Sequence, residues 1–328
     1  MLFDLNTFST DYLAPAIIIL GLFGNLFGLI VISKKKLKKI GPQTVYIALF
    51  IFDYINFLLI FQSYIQQKFN IDITLFSSLA CKLYWYLNFA FGPISPMLNV
   101  YISIERYFSI AHQTMKHFFI KKKIQFAFII AVTLYNLLLY IPMGLYTELI
   151  VIESNQTNLT IFYMDSYINY ICNVIDLVNR VIIPFLFMIT FSILIIYSIF
   201  SSRRRISPNV RTNKANRVFR KDVRLSFIII LLNISFIVLS LPVTAIYFLS
   251  EYWFSYLMNF FNYLYFFSFC TNFYLMFSVN SLFRGGFYSI FIFSNKTKTT
   301  KQVIKNINVN SRRNGTKVNT GSKENKIY

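Results

Sequence analysis

Charge and histidine are scarce in this chain. Of 328 residues only 13% are charged, with 12 acids and two histidines, His112 and His117. A soluble domain of this length needs about twice that charge to keep its surface in water, so a soluble globular protein is excluded. Two histidines and no close-set metal ligands or nucleophile–base–acid pattern leave catalysis unexpected. The first 33 residues lack Lys and Arg. A cleaved leader would have a positive start and a shorter apolar core, so residues 12–33 are expected to stay as a span. No internal repeat is visible, which removes sequence support for a transporter built from inverted halves.

What is abundant is apolar: 56% hydrophobic residues, 19% aromatic, 38 of them Phe. A membrane helix needs about 20 apolar residues. Seven runs qualify, at 12–33, 44–64, 83–108, 124–147, 173–200, 223–249 and 256–279. An eighth, "SLFRGGFYSIFIF" at 281–293, is amphipathic and too short to cross, so it is expected to lie along the inner membrane surface. The fold class is therefore an all-α membrane protein: a seven-helix bundle with a short cytoplasmic eighth helix. Three regions follow: a short outer amino-terminal segment 1–11, a membrane domain 12–293, and a basic tail 294–328 too polar to fold.

The net charge of +20 suggests nucleic acid until it is placed. Lys and Arg gather at 33–39, 121–123, 201–222 and beyond 295, between apolar runs that leave no room for a basic soluble module. Their asymmetry marks the cytoplasmic side. The amino terminus is then outside and the tail inside, a multi-pass arrangement in the plasma membrane.

On that topology Cys81 and Cys172 both face an oxidising compartment, and a disulfide between them is expected; two free thiols are the alternative. Cys270 reads as a packing residue. Two adjacent sequons, Asn155 and Asn158, fall in the outer loop and are candidate glycosylation sites. Asn233 also heads a sequon, but within a span.

The stretch "ISIERYFSI", 102–110, puts Glu105 and Arg106 at the edge of a span, where charge is costly and calls for partners. With Tyr107 they form an acidic–Arg–aromatic triplet, Arg106 lying 25 residues after Cys81. Gly24–Asn25 occupy the first run, Leu49 and Asp53 the second, Pro184 the fifth, and Phe236 with Pro242 the sixth. In these residues, one set per helix and in order, the chain resembles the rhodopsin-like (class A) G-protein-coupled receptors over about residues 12–293. Departures are clear: the usual Asn-Pro-x-x-Tyr reads Asn272-Phe273-Tyr274-Leu275-Met276, the sixth-helix tryptophan is Ser240, and the fifth-helix tyrosine is Ser192.

The resemblance implies roles. Arg106 is expected to pair at rest with Asp222, and its release to free it for a heterotrimeric G protein as the sixth helix swings about Pro242. Ser95, Ser268 and Asn272 are expected to surround Asp53 and help hold a sodium ion; a protonated Asp53 in a local hydrogen-bond network is the alternative. The ligand is expected among Tyr84, Trp85, Asn88, Phe89, Asp176, Asn179, Arg180, Thr244, Tyr247, Glu251 and Asn262. Asp176 and Arg180, four apart, share a helix face and can also pair with each other. Asn88 stands where amine receptors carry Asp, and Phe266 where opsins carry Lys, which argues against both ligand classes. Outward acids favour a basic ligand, and the Asn-Phe of the seventh run is similar to invertebrate FMRFamide-like neuropeptide receptors, so a small peptide is expected. Thr and Ser residues of the tail are candidate phosphorylation sites for an arrestin, and its basic residues for anionic lipid. Two readings compete: a receptor-like protein that no longer signals, and a seven-span channel or transporter.

Overall fold

Lipid leaves no water to satisfy unpaired backbone groups, so apolar runs must close their hydrogen bonds as helices. The computed structural model describes residues 5–34, 42–69, 71–153, 158–205, 213–248 and 255–290. Among them, five helices are long and apolar enough to cross a membrane in one piece: Ser9–Ile32, Gln43–Phe69, Lys122–Tyr146, Ser166–Ser201 and Val223–Val243. These are the first, second, fourth, fifth and sixth helices of the bundle. The third crosses in two pieces, Ser78–Phe91 and Ile94–Ala111. The seventh, Ser255–Val279, is followed by the eighth, Ser281–Ile290, which turns away by 99°. The expected helical bundle is thus present, and large apolar side chains such as Phe23, Leu138 and Val238 remain exposed on its outer surface.

Local chemistry sets the ends. Ser77 accepts from Ala80 N and starts the third helix. Asp165 accepts from Tyr167 N at 2.9 Å and Ile168 N at 3.3 Å and starts the fifth. Asn280 does the same for the eighth, accepting from Leu282 N and Phe283 N. Each such cap is worth about 1 kcal/mol. Close approach of the first and second helices depends on small residues: a Cβ at Gly21 would lie 2.3 Å from the Phe57 ring, and one at Gly28 2.5 Å from the Phe50 ring.

Three features differ from the expectations. The loop between the fourth and fifth helices contains an antiparallel hairpin, β1 Glu148–Glu153 with β2 Asn158–Tyr163. Asn158 opens β2, and Asn155 lies outside the described residues. The third helix is interrupted, because Pro93 has no N–H to donate to the carbonyl of Phe89. The fifth helix begins at Ser166, seven residues before the expected 173.

That early start removes the expected disulfide. Cys81 and Cys172 are both free and buried. Capping at Asp165 puts Cys172 well inside a helix, in a cluster with Ala90, Tyr140, Met143 and Met164. Cys81 is in the first turn of the third helix.

Candidate ligand cavity and switch

In the half of the bundle nearest the hairpin, the fifth helix widens just before Pro184. Val178–Ile182 form a π-helical turn in which Ile183 N donates to Val178 O, five residues back. The first helix does likewise ahead of Pro15, where Ala14 N donates to Ser9 O. A proline ring crowds the carbonyl four residues before it, and the wider turn relieves this. At the fifth helix that carbonyl belongs to Arg180. The extra residue in the turn gives a wide inward face, with Leu177, Asn179 and Val181 all buried.

Arg180 is the hub of this half. Its Nε and Nη2 each lie 3.0 Å from Asp176 Oδ1. Nη2 also donates to Asn88 O, at 3.3 Å, and the guanidinium stands 5.7 Å above the Phe89 ring. A Cβ at Gly92 would fall 2.5 Å from the guanidinium. Glycine at the break in the third helix therefore gives Arg180 its seat against the ends of that helix's outer piece. Tyr140, from the fourth helix, donates to Asp176 Oδ1 at 2.9 Å. Asn179 donates to Asn136 Oδ1 at 2.8 Å and to the Tyr140 hydroxyl at 3.2 Å. Buried polar groups need partners, and this network supplies them across the third, fourth and fifth helices.

Two cavities meet at Arg180. One, of about 50 Å³, is lined by Asp176, Arg180, Asn262, Tyr265 and Phe266 among others. A smaller one, of about 10 Å³, is lined by Asn56, Asn88, Gly92, Arg180 and Phe266 among others. Of the expected ligand residues, the structure brings Asp176, Arg180, Asn262 and Asn88 to these cavities. Asn179 turns instead to the fourth helix. Tyr84 shares a 2.5 Å hydrogen bond with Ser63 and donates to Leu59 O. Trp85 packs between Tyr84 and Phe89, at centroid distances of 5.6 and 6.4 Å. Thr244 and Tyr247 are in the sixth helix, with side chains outside the described residues, as is Glu251 entirely.

At the opposite end, Arg106 and Glu105 are buried, with side chains 3% and 0% exposed and Nε 3.0 Å from Oε2. Ser109 donates to Glu105 Oε1 at 2.7 Å. Tyr107 packs on Phe191 of the fifth helix, 5.9 Å between centroids. It also lines a cavity of about 230 Å³ between the third and fifth helices, with His112, Tyr197 and Ser201. Asp222 is within the sixth helix, Asn213–Phe248, but its side chain lies outside the described residues. Pro242 is inside the same helix, and Phe236 lies 6.4 Å from the Tyr265 ring.

Between the two ends, Asp53, Ser95, Ser268 and Asn272 are all buried, and Asn272 donates to Asp53 Oδ2 at 2.8 Å. Asp53 Oδ1, Ser95 Oγ and Ser268 Oγ are buried with no hydrogen-bond partner. Three such oxygens have the hard-donor character that suits a small cation.

A cluster absent from the sequence reading joins three helices. Asn233 Nδ2, in the sixth, donates to Ser192 Oγ at 2.9 Å, Ser103 Oγ at 3.0 Å and Met188 O at 3.4 Å. Ser103 in turn contacts Asn233 Oδ1 at 3.2 Å. The signal was present: a lone asparagine in an apolar span is costly without a buried partner. Read only as a sequon, it gave no hint of this.

The sequence model of the family described as 7 transmembrane receptor (rhodopsin family) matches residues 24–283. A search among curated proteins found no match. The matched segment contains the paired Glu105–Arg106, the Asp53 core and the Arg180 cavity, from the first helix into the eighth. The chain belongs to the rhodopsin family of seven-transmembrane receptors.

Proposed function

We propose that the chain is a signalling receptor of the plasma membrane, with its amino terminus outside and its tail in the cytoplasm. It binds a small peptide at the Arg180 cavity and activates a heterotrimeric G protein when the sixth helix swings at Pro242. The observation that carries this reading is the burial of Arg106 and Glu105 at the end of the third helix. Charges so placed are expensive unless used. Opening the sixth helix would separate Arg106 from Asp222 and present it to the transducer. Proline inside the sixth helix removes a backbone bond and lets its two halves move apart. The basic clusters flanking the spans support the orientation.

Sodium belongs to the same reading. Asp53 would hold it with Ser95, Ser268 and Asn272, and the unpartnered oxygens at Asp53 and the two serines fit an ion of hard oxygen preference. Its charge would offset that of the buried carboxylate. The ligand-facing end keeps Glu148 and Asp165 exposed, which favours approach of a basic peptide. Arrestin binding to a phosphorylated tail and lipid binding by its basic residues complete the set of partners.

A peptide library applied to cells expressing the full chain, read by nucleotide exchange on a promiscuous G protein, tests the proposal. A peptide response abolished by Arg106→Ala, with surface expression retained, is expected. A response indifferent to that change would overturn it.

A further inference from the structure

We infer that the buried tip of the ligand is uncharged and presents carbonyl oxygens, taken by Tyr265 and Asn56 on either side of Arg180. This rests on the receptor reading above and names the chemistry of its site.

Among the described residues, the Arg180 cavity is lined by one acid and one base, and they face each other. Asp176 Oδ1 is engaged by Arg180 Nε and Nη2 and by the Tyr140 hydroxyl. The floor therefore has no net charge to offset. A ligand ammonium would have to displace Arg180 from Asp176, and a ligand carboxylate would leave two carboxylates sharing one guanidinium. Both exchanges bury an uncompensated charge.

What the floor lacks is an acceptor. Tyr265 is 3% exposed and lines the larger cavity; its hydroxyl oxygen lies near the Arg180 guanidinium, which can only donate, and its own O–H has no acceptor. Asn56 is 5% exposed and lines the smaller cavity; its Nδ2 is buried with no hydrogen-bond partner. Both groups can donate, and a buried donor left unpaired is costly. The two cavities share Arg180 and Phe266, so the donors belong to one two-lobed recess. With about 50 Å³ in the larger lobe, it admits a few waters or the tip of a ligand, not a whole peptide. A backbone or capped end offers carbonyl oxygens at regular intervals and carries no charge. Neither Tyr265 nor Asn56 has a role in the expected ligand set.

The test uses the purified full chain in lipid nanodiscs. Its thermal midpoint is followed with N-acetyl dipeptide amides and with the same dipeptides bearing a free amine or a free carboxylate. Capped dipeptides are expected to raise the midpoint where their charged counterparts do not. Tyr265→Phe removes an O–H that has no acceptor, so the ligand-free midpoint should change little while the capped probe binds about tenfold more weakly. The inference is overturned if no capped probe stabilises the receptor, if the charged forms stabilise it equally, or if Tyr265→Phe leaves binding intact because only water occupies the recess. Nucleotide exchange is measured in parallel. Capped-probe binding without exchange would count against the receptor reading alone; exchange driven by a charged ligand and insensitive to Tyr265→Phe would count against this inference alone.

Discussion

Arg180 and Arg106 both lie inside this bundle, and their surroundings differ. Arg180 is joined to three helices at once: Asp176 of its own helix, the Asn88 carbonyl and Phe89 of the third, and, through Asp176, Tyr140 of the fourth. Arg106 has its carboxylate next door in the same helix, at 3.0 Å. An ion pair within one helix can survive when helices part, so it contributes little to keeping them together. The described hydrogen bonds that join the third, fifth and sixth helices at the Arg106 end converge on Asn233, a neutral side chain. The half nearest the hairpin is thus cross-linked by charge. At the Arg106 end the described cross-link is an amide, Asn233, which can part without leaving a bare charge of its own.

Loss of Arg180 has the gravest consequence. Replacing it with Met strands Asp176 in the bundle, and loss of one partner of a buried pair costs about 3–5 kcal/mol. The purified receptor should melt far earlier, and Asp176→Asn in the same chain should restore much of the loss. Melting of the single and double variants checks this, and equal melting of Arg180→Met and wild type would refute the hub.

Asn233→Leu sharpens the other side. It removes the cross-link and inserts a side chain suited to the span, so the fold persists while the resting state loses about 1–3 kcal/mol of preference. Basal nucleotide exchange should rise about fivefold or more. Unchanged basal exchange would mean that the amide is ordinary packing.

A smaller effect is expected at the cysteines. Loss of a native disulfide typically costs about 2–5 kcal/mol. With both thiols free, Cys81→Ser should shift stability by less, about 1 kcal/mol, and reductant should leave melting unchanged. Mass mapping under non-reducing conditions reads the thiols directly. The smallest change is expected for Lys34→Met, which removes two hydrogen bonds to the eighth helix and should shift stability by about 0.5 kcal/mol. Faster amide exchange in residues 281–290 would report it.

Most of the bundle is legible because lipid simplifies the problem. Apolar runs of the right length must be helices, and charge clusters mark their ends. The Asp176–Arg180 contact was also open to reading, since four residues along a helix bring side chains to one face. Its consequence was not: the seat at Gly92 is a tertiary approach, and nothing local to Arg180 announces it. The hairpin and the early start of the fifth helix eluded the apolar pattern because they depend on capping at Asp165 rather than on hydrophobicity. The disulfide expectation failed with them, since it assumed that Cys172 stood at the head of its helix. At Asp53 the residue types pointed to a polar core; that Asn272 bonds one oxygen while the other is left over emerges only from packing.

The eighth helix is fastened in an unusual currency. Lys34, at the end of the first helix, donates to Gly286 O and Ser289 Oγ, both at 2.7 Å, and Phe27 meets Phe287 edge-on at 5.5 Å. Residues 271–328 contain no cysteine, so no thioester-linked fatty acid can be added and removed there. The docking of this helix on the first is then indifferent to acylating and deacylating enzymes.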